Sequence, residues 1–187
     1  MEYLNYFSLN SIVIISFFLI SLVALILNGI TRGKSNKLLF SSYRSSLLNP
    51  LTYVRLITHI FGHADFSHFM SNFLYILLIG PMIEEKYGSK NLAIMIVITA
   101  AITGLLNSIF SKKKMILGAS GIVFMLIILS SFVNIQAGKV PVTLILICAF
   151  YIADEIIKGI FKKDDVSHMA HLVGALCGFI FGYYIFK

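Results

Sequence analysis

Charged residues are scarce in this chain of 187 residues, where they make up 12% of the sequence against 58% for apolar residues. A soluble domain usually carries about 25% charged residues, so this composition excludes an ordinary soluble domain. The mean hydropathy of +0.91 agrees with that exclusion. The sequence therefore predicts a single membrane domain over residues 1–187, with no room for a separate soluble domain.

Cysteines are also few. Cys148 and Cys177 both lie in apolar runs and show no CxxC or metal-ligand spacing, so we interpret them as small interior residues. No HExxH sequence is present, and no carboxylate or thiolate lies at ligand spacing. We therefore expect no metal and no cofactor. The alternative is a metal or proton pathway through the five histidines, which are His59, His63, His68, His168 and His171.

Long runs without charge are the main feature that is present. A helix needs about 20 mostly apolar residues to cross a bilayer, and a backbone in lipid must satisfy its own hydrogen bonds, which favours helices over strands. The sequence therefore predicts an all-α, polytopic membrane protein with six transmembrane helices. These cover about residues 12–30, 67–83, 91–110, 118–134, 142–158 and 166–186, and residues 31–66 form a long first loop half in the membrane interface.

A few polar residues lie inside the predicted spans, where such side chains are costly and usually face an interior or a wet cavity. They are His68 and Asn72 in the second helix, Ser120 at the start of the fourth and His171 near the start of the sixth. These three helices run in the same direction across the membrane, so their starting ends share one face. We expect the four side chains to converge a turn or so below that face.

Ser120 and His171 have the chemistry of a catalytic dyad. A serine hydroxyl becomes a useful nucleophile at neutral pH when an adjacent base takes its proton, and a helix start offers N–H donors to an oxyanion. Small residues spaced by four predict that the sixth helix packs closely on a neighbour. They are Ala170, Gly174, Gly178 and Gly182. The alternatives are a helix N-cap at Ser120 and an ordinary interior role for His171.

His68 and Asn72 are four residues apart and therefore share one helix face. Both can donate hydrogen bonds, and with the N–H groups around Ser120 they would form an oxyanion hole for a tetrahedral intermediate. The alternative is a polar pair that joins neighbouring helices.

Three motifs together resemble the rhomboid family of intramembrane serine proteases. They are His-x-x-x-Asn at 68–72, Gly-x-Ser-Gly at 118–121 and Ala-His-x-x-Gly at 170–174, and the likeness covers about residues 12–187. The resemblance implies the basic six-helix form of a compact rhomboid-like bundle, a multi-pass protein of the cell membrane. It also implies hydrolysis of peptide bonds in or near the transmembrane segments of other membrane proteins.

The resemblance also implies roles for single residues. Ser120 would be the nucleophile, His171 the base and then the acid, and His68, Asn72 and the Ser120 amide the oxyanion donors. The residues expected to serve packing are Gly118, Gly121, Phe124, Gly174 and Gly178.

Two positions depart from the pattern of many members. Phe124 stands where tyrosine is frequent, and we expect it to stack on the His171 ring. Val54 and Arg55 stand where the first loop often has a Trp-Arg pair, which leaves the docking of that loop undecided. An alternative function for the same fold is a catalytically silent factor that binds and escorts membrane proteins.

The net charge is +7, from 15 basic against 8 acidic residues. Because the cations lie in short loops between apolar runs, we expect lipid headgroups rather than nucleic acid as their partners. With the amino terminus inside, as the family implies, the inner loops hold only Lys86, Lys90, Lys139 and Lys187, and the outer loops hold the other 11 cations. The positive-inside rule predicts the reverse, so the side that the site faces stays open.

Overall fold

The computed structural model describes residues 10–110, 115–133, 139–140, 142–147, 149 and 165–185. Within this part of the chain the fold is helical, and the one isolated bridge pairs Ser42 with Ile116. A 3₁₀ turn covers His59–Phe61, and a π-helical turn covers Phe181–Ile185. The α-helices are α1 (Ile12–Ile30), α2 (Lys34–Leu38), α3 (Pro50–Thr58), α4 (Phe66–Tyr87), α5 (Ser89–Phe110), α6 (Ser120–Ser130), α7 (Val142–Ile147) and α8 (Asp165–Ile180).

Among the residues that the structure describes, three helices are long and apolar enough to cross a membrane, namely α1, α4 and α5. Helix α6 has 11 residues, which extend about 16 Å at 1.5 Å per residue against an apolar thickness of about 30 Å. Most of the predicted fifth span, 142–158, lies outside the described residues, and α8 agrees with the start of the predicted sixth. The structure therefore supports a helical membrane protein, while six spans remain a prediction.

The second predicted span was too short, because α4 continues past Pro81 to Tyr87. Proline removes one backbone donor from a helix, yet α4 continues through Pro81 to the buried Glu84 and beyond. Its carboxylate accepts the N–H groups of Val13 at 3.0 Å and Ile14 at 3.1 Å, which belong to the first turn of α1. Glu84 thus satisfies donors at the start of another helix.

Helices α1 and α4 are antiparallel, since residue numbers rise along one as they fall along the other. Phe17 lies 5.3 Å from Phe73, and Phe18 lies 5.4 Å from Phe69, measured between ring centroids. Ring pairs at such distances contribute about 0.5–1.5 kcal/mol each beyond their buried area. The end of α1 and the start of α4 consequently lie on the same side of the bundle.

The predicted first loop contains regular secondary structure, namely α2, α3 and the 3₁₀ turn. Arg55 is buried there, 3% exposed. Its guanidinium donates to the Tyr43 hydroxyl at 2.7 Å and to the Ser45 hydroxyl at 3.0 Å. Arg55 therefore anchors the preceding segment even though Val54 replaces the aromatic residue that the family often has before it.

Helix α6 lies in the centre of the bundle. It is buried along nearly its whole length, from Gly121 to Leu129, and a helix that is apolar on all sides belongs to a protein interior. It packs on α8 through glycines. Gly174 lies on the backbone of Gly121, Gly178 on the backbone of Met125 and Gly182 on the ring of Phe132. The small residues of α8 therefore lie against α6, and the pairing shows that α6 and α8 run parallel.

We expect Gly174→Ala to destabilise the protein. An added Cβ would overlap the carbonyl group of Gly121, and because both partners are backbone, α8 would have to move. Overpacking of this kind costs about 1–3 kcal/mol, measurable as a lower midpoint of thermal unfolding in detergent. Gly29→Ala in α1 is the control, since nothing lies within 4 Å of its added Cβ. Equal midpoints for the two variants would contradict the proposed packing.

Candidate active site

A glycine turn introduces Ser120. Gly118 has φ +116°, in the region that favours glycine, and its N–H donates to the His59 carbonyl at 3.0 Å. Ala119 occupies the N-cap position of α6 and makes no side-chain cap, and Ser120 is the first helical residue. The structure therefore does not support the alternative that Ser120 is the N-cap. The first N–H groups of a helix have no partner inside it, and here they lie next to the Ser120 side chain.

His68 and Asn72 reach this same turn from α4. A Cβ added to Gly118 would lie 2.8 Å from His68 Nε2 and 3.8 Å from Asn72 Nδ2. Gly118 thus allows two side chains with N–H groups to approach the backbone that leads to Ser120. The predicted convergence of helices two and four is present in the structure.

Asn72 is buried, 5% exposed. Its Nδ2 donates to the His68 carbonyl at 3.1 Å. An amide nitrogen carries two hydrogens, so this bond holds the side chain in place and uses one of them. The Asn72 side chain is therefore fixed against its own helix, and the second hydrogen of its amide nitrogen can be donated to another acceptor.

Asp65 fixes the start of α4, a function that sequence reasoning missed. It is the N-cap, and its carboxylate accepts the N–H of His68 at 2.8 Å. Aspartate is among the preferred N-cap residues, so its place just before the helix was the signal that could have found it. Asp65 therefore sets where His68 lies in the first turn.

Two further histidines, which the sequence placed only in the alternative metal or proton pathway, support the turn. The His63 ring lies 5.1 Å from the His68 ring at 69°. His59 accepts the Gly118 N–H through its carbonyl, and its Nε2 lies 3.4 Å from the Thr103 hydroxyl. Burial lowers the pKa of His59 and of His63 to about 4. Both rings are therefore neutral at pH 7, and neither adds positive charge beside His68.

His171 stacks on Phe124, as the sequence predicted. The ring centroids are 4.4 Å apart, and the planes differ by 9°. A stacked aromatic ring restricts the rotation of an imidazole about its side-chain bonds. Phe124 lies one turn beyond Ser120 on α6, so this contact holds His171 next to the first turn of that helix.

Backbone contacts bring together the residues that neighbour Ser120 and His171 in the sequence. A Cβ added to Gly121 would lie 3.3 Å from the Ala170 carbonyl oxygen. Gly121 follows Ser120, and Ala170 precedes His171, so the two candidate residues belong to the turns at which α6 and α8 approach each other. The structure thus brings both helices together at the predicted residues.

The sequence also matches known proteins. The profile of the Rhomboid domain matches residues 50–187, from the start of α3 to the end of the chain. The chain belongs to the rhomboid family. Among the residues described, no group of three or more His, Cys, Asp or Glu side chains is arranged to hold a metal ion.

Three relatives show how similar this chain is to known rhomboid proteins. RHOMBOID-like protein 1 of Arabidopsis thaliana is 34% identical over 134 residues, 69% of this chain and 33% of the relative. Rhomboid-like protein 11, chloroplastic, of the same plant is 25% identical over 142 residues, 68% of this chain and 51% of the relative. Rhomboid protease GlpG of Haemophilus influenzae is 26% identical over 132 residues, 69% of this chain and 68% of the relative. The matched region thus spans between a third and about half of the plant relatives.

Proposed function

We propose that this rhomboid is an intramembrane serine protease that hydrolyses peptide bonds in or near the transmembrane segments of other membrane proteins. The observation that carries the proposal is the approach of His68 and Asn72 to the glycine turn before Ser120. Donors that are fixed before the reaction, at a place where negative charge would develop, are the largest single contribution in many enzymes. A pair that only joined helices would not require a glycine with positive φ between it and a serine.

In the proposed reaction, Ser120 Oγ attacks the carbonyl carbon of the substrate while His171 takes its proton. The oxyanion receives hydrogen bonds from His68, Asn72 and the Ser120 amide. Collapse of the intermediate breaks the C–N bond, with His171 giving the proton to the leaving amine. Water then attacks the acyl-enzyme with His171 again acting as base, which releases the acid and restores Ser120.

The substrate is proposed to be a transmembrane helix that enters sideways from lipid. A helical peptide bond is shielded by its own hydrogen bonds, so the segment must unwind locally before attack. Residues that destabilise helices should therefore favour cleavage. We also propose that the protein lies in the cell membrane with several spans, because its long apolar helices suit a bilayer.

The second candidate function is a silent rhomboid-like factor that binds and escorts membrane proteins. It requires neither a nucleophile nor a base. The presence of both Ser120 and His171, on helices packed through glycine, favours the protease.

A fluorophosphonate probe tests the proposal directly, since it reacts with serines that an adjacent base has activated. We expect covalent labelling at Ser120, identified by mass spectrometry of the purified protein in detergent. Ser120→Ala should remove the label, and His171→Gln should slow its appearance strongly because the hydroxyl loses its base. Labelling that is equal in the wild type and in Ser120→Ala would favour the escort function.

A further inference from the structure

A group of exposed cations follows the carboxyl end of α1. Arg32, Lys34, Lys37 and Arg44 are all exposed, and Asp65 is the first acidic residue that follows them in the sequence. Lys34 and Lys37 are three apart in α2 and share a face. The Tyr43 hydroxyl donates to the Lys37 carbonyl at 3.1 Å, which brings Arg44 to the same corner. We call these four residues the basic corner.

The basic corner follows directly on the long apolar helix α1, a place in the chain that suits contact with lipid headgroups when such a helix spans a bilayer. The apolar span of α1 ends at Ile30, and the chain then turns through Arg32 at φ +51° and Gly33 at φ +87°. A left-handed conformation is strained for a long side chain, yet arginine rather than glycine or asparagine occupies it. Ile30, which precedes the corner in the chain, and Leu38, which follows Lys37, are 73% and 53% exposed. Apolar and basic side chains exposed side by side suit a ligand with an anionic head and a hydrocarbon tail.

The basic corner is attached to the candidate active site through α2. Asn36 lies on the buried side of this helix, and its Nδ2 donates to the His63 carbonyl at 2.8 Å. Gly62 packs on the Phe40 carbonyl so closely that no Cβ would fit, and the Thr58 hydroxyl donates to the Leu39 carbonyl. The His63 ring in turn contacts the ring of His68. Helix α2 is therefore connected to His68, the proposed oxyanion donor, through a short series of direct contacts.

We propose that the basic corner binds the headgroups of anionic phospholipids, and that this binding stabilises the arrangement of the first loop in which His68 faces the Gly118 turn. The regulatory half rests on the proposed protease function. The binding half stands by itself. Anionic lipid would act as a support for the active form rather than as a substrate.

Binding is tested with the full chain carrying Ser120→Ala, so that the result does not depend on proteolysis. Phosphatidylglycerol is titrated into the protein in detergent and bound lipid is counted by native mass spectrometry, with phosphatidylcholine as the neutral lipid. Each exposed cation near an anionic surface contributes about fivefold in affinity, so we expect Lys34→Gln with Lys37→Gln to weaken binding by about 25-fold. The control pair is Lys86→Gln with Lys90→Gln, two exposed lysines in the last turn of α4 and the first turn of α5, which should change little.

Equal binding of the two lipids, or equal loss in the two variant pairs, would overturn the binding half. Competition by inorganic phosphate as strong as that by phosphatidylglycerol would also overturn it, since the site would then be one for a soluble anion. Regulation is tested in vesicles of phosphatidylcholine with and without phosphatidylglycerol. We expect the anionic lipid to raise cleavage of a transmembrane reporter by about fivefold or more, and to do so less in the Lys34/Lys37 pair. Cleavage that ignores lipid charge would overturn the regulatory half, whereas no cleavage in any vesicle would contradict the proposed function and leave the binding result intact.

Discussion

Ser120→Ala is expected to abolish cleavage of a transmembrane reporter protein. The variant keeps the donors around the glycine turn, yet no atom remains to attack the carbonyl and form the acyl-enzyme. Loss of the nucleophile in a serine protease lowers kcat by a factor of about 10⁶. The measurement is the rate at which a fluorescent reporter with a membrane-spanning segment is cut after the purified protein is placed in vesicles.

Ser130→Ala is the matched control for that experiment. Ser130 ends the same helix, and its hydroxyl donates to the Ile127 carbonyl at 2.7 Å. Removing it deletes a serine hydroxyl from α6 at the end far from the glycine turn, so cleavage should stay close to that of the wild type. Both variants should unfold at nearly the same temperature. Undiminished turnover by Ser120→Ala would end the proposed mechanism.

The parts of the site that depend on local spacing were predictable from the sequence. Polar residues in apolar spans identified Ser120, His68, Asn72 and His171, because such residues need a reason to lie in lipid. Glycines spaced by four identified the surface by which α8 packs on α6, since only small residues let two backbones approach so closely. Each of these signals lies within one helix, and the fold brings them together because the helices run in the same direction.

The features that were missed depend on partners far away in the sequence. Helix α4 was predicted to end at about residue 83, because nothing nearby indicates that Glu84 caps a helix about 70 residues before it. The first loop was predicted only as a long segment half in the membrane interface, because the bonds of Arg55 to Tyr43 and Ser45 form only once the chain has folded back. A charged residue in an apolar chain signals either an exit from the membrane or a buried contact. Sequence alone does not separate the two.

Aromatic stacking on His171 shows how a departure from a family pattern can be interpreted physically. Phe124 lacks the hydroxyl of a tyrosine, yet its ring lies nearly parallel to the imidazole at 4.4 Å. Stacking depends on the ring faces and not on the hydroxyl. The substitution therefore keeps the contact that orients the proposed base.

Asn72→Ala is expected to lower kcat by about 10² to 10³, since the loss of one oxyanion donor costs about 2.7–4 kcal/mol in the transition state. The donor would meet its acceptor only when the carbonyl becomes tetrahedral, so KM should change little while kcat falls. Substitution to aspartate should be no better, because an ionised carboxylate accepts hydrogen bonds and repels an oxyanion. Steady-state cleavage of the reporter over a range of reporter densities in the membrane separates kcat from KM.

Ser71→Ala provides a close control for the Asn72 variant. The Ser71 hydroxyl donates to the His68 carbonyl at 2.9 Å, and the Asn72 amide donates to the same carbonyl at 3.1 Å. Ser71 is exposed, whereas Asn72 is buried and faces the Gly118 turn. Each variant therefore removes one bond to the same atom, and only one of them removes a group next to the proposed oxyanion. If both variants lowered kcat equally, the bond to the His68 carbonyl would explain the effect, and Asn72 would be a positioning residue rather than an oxyanion donor.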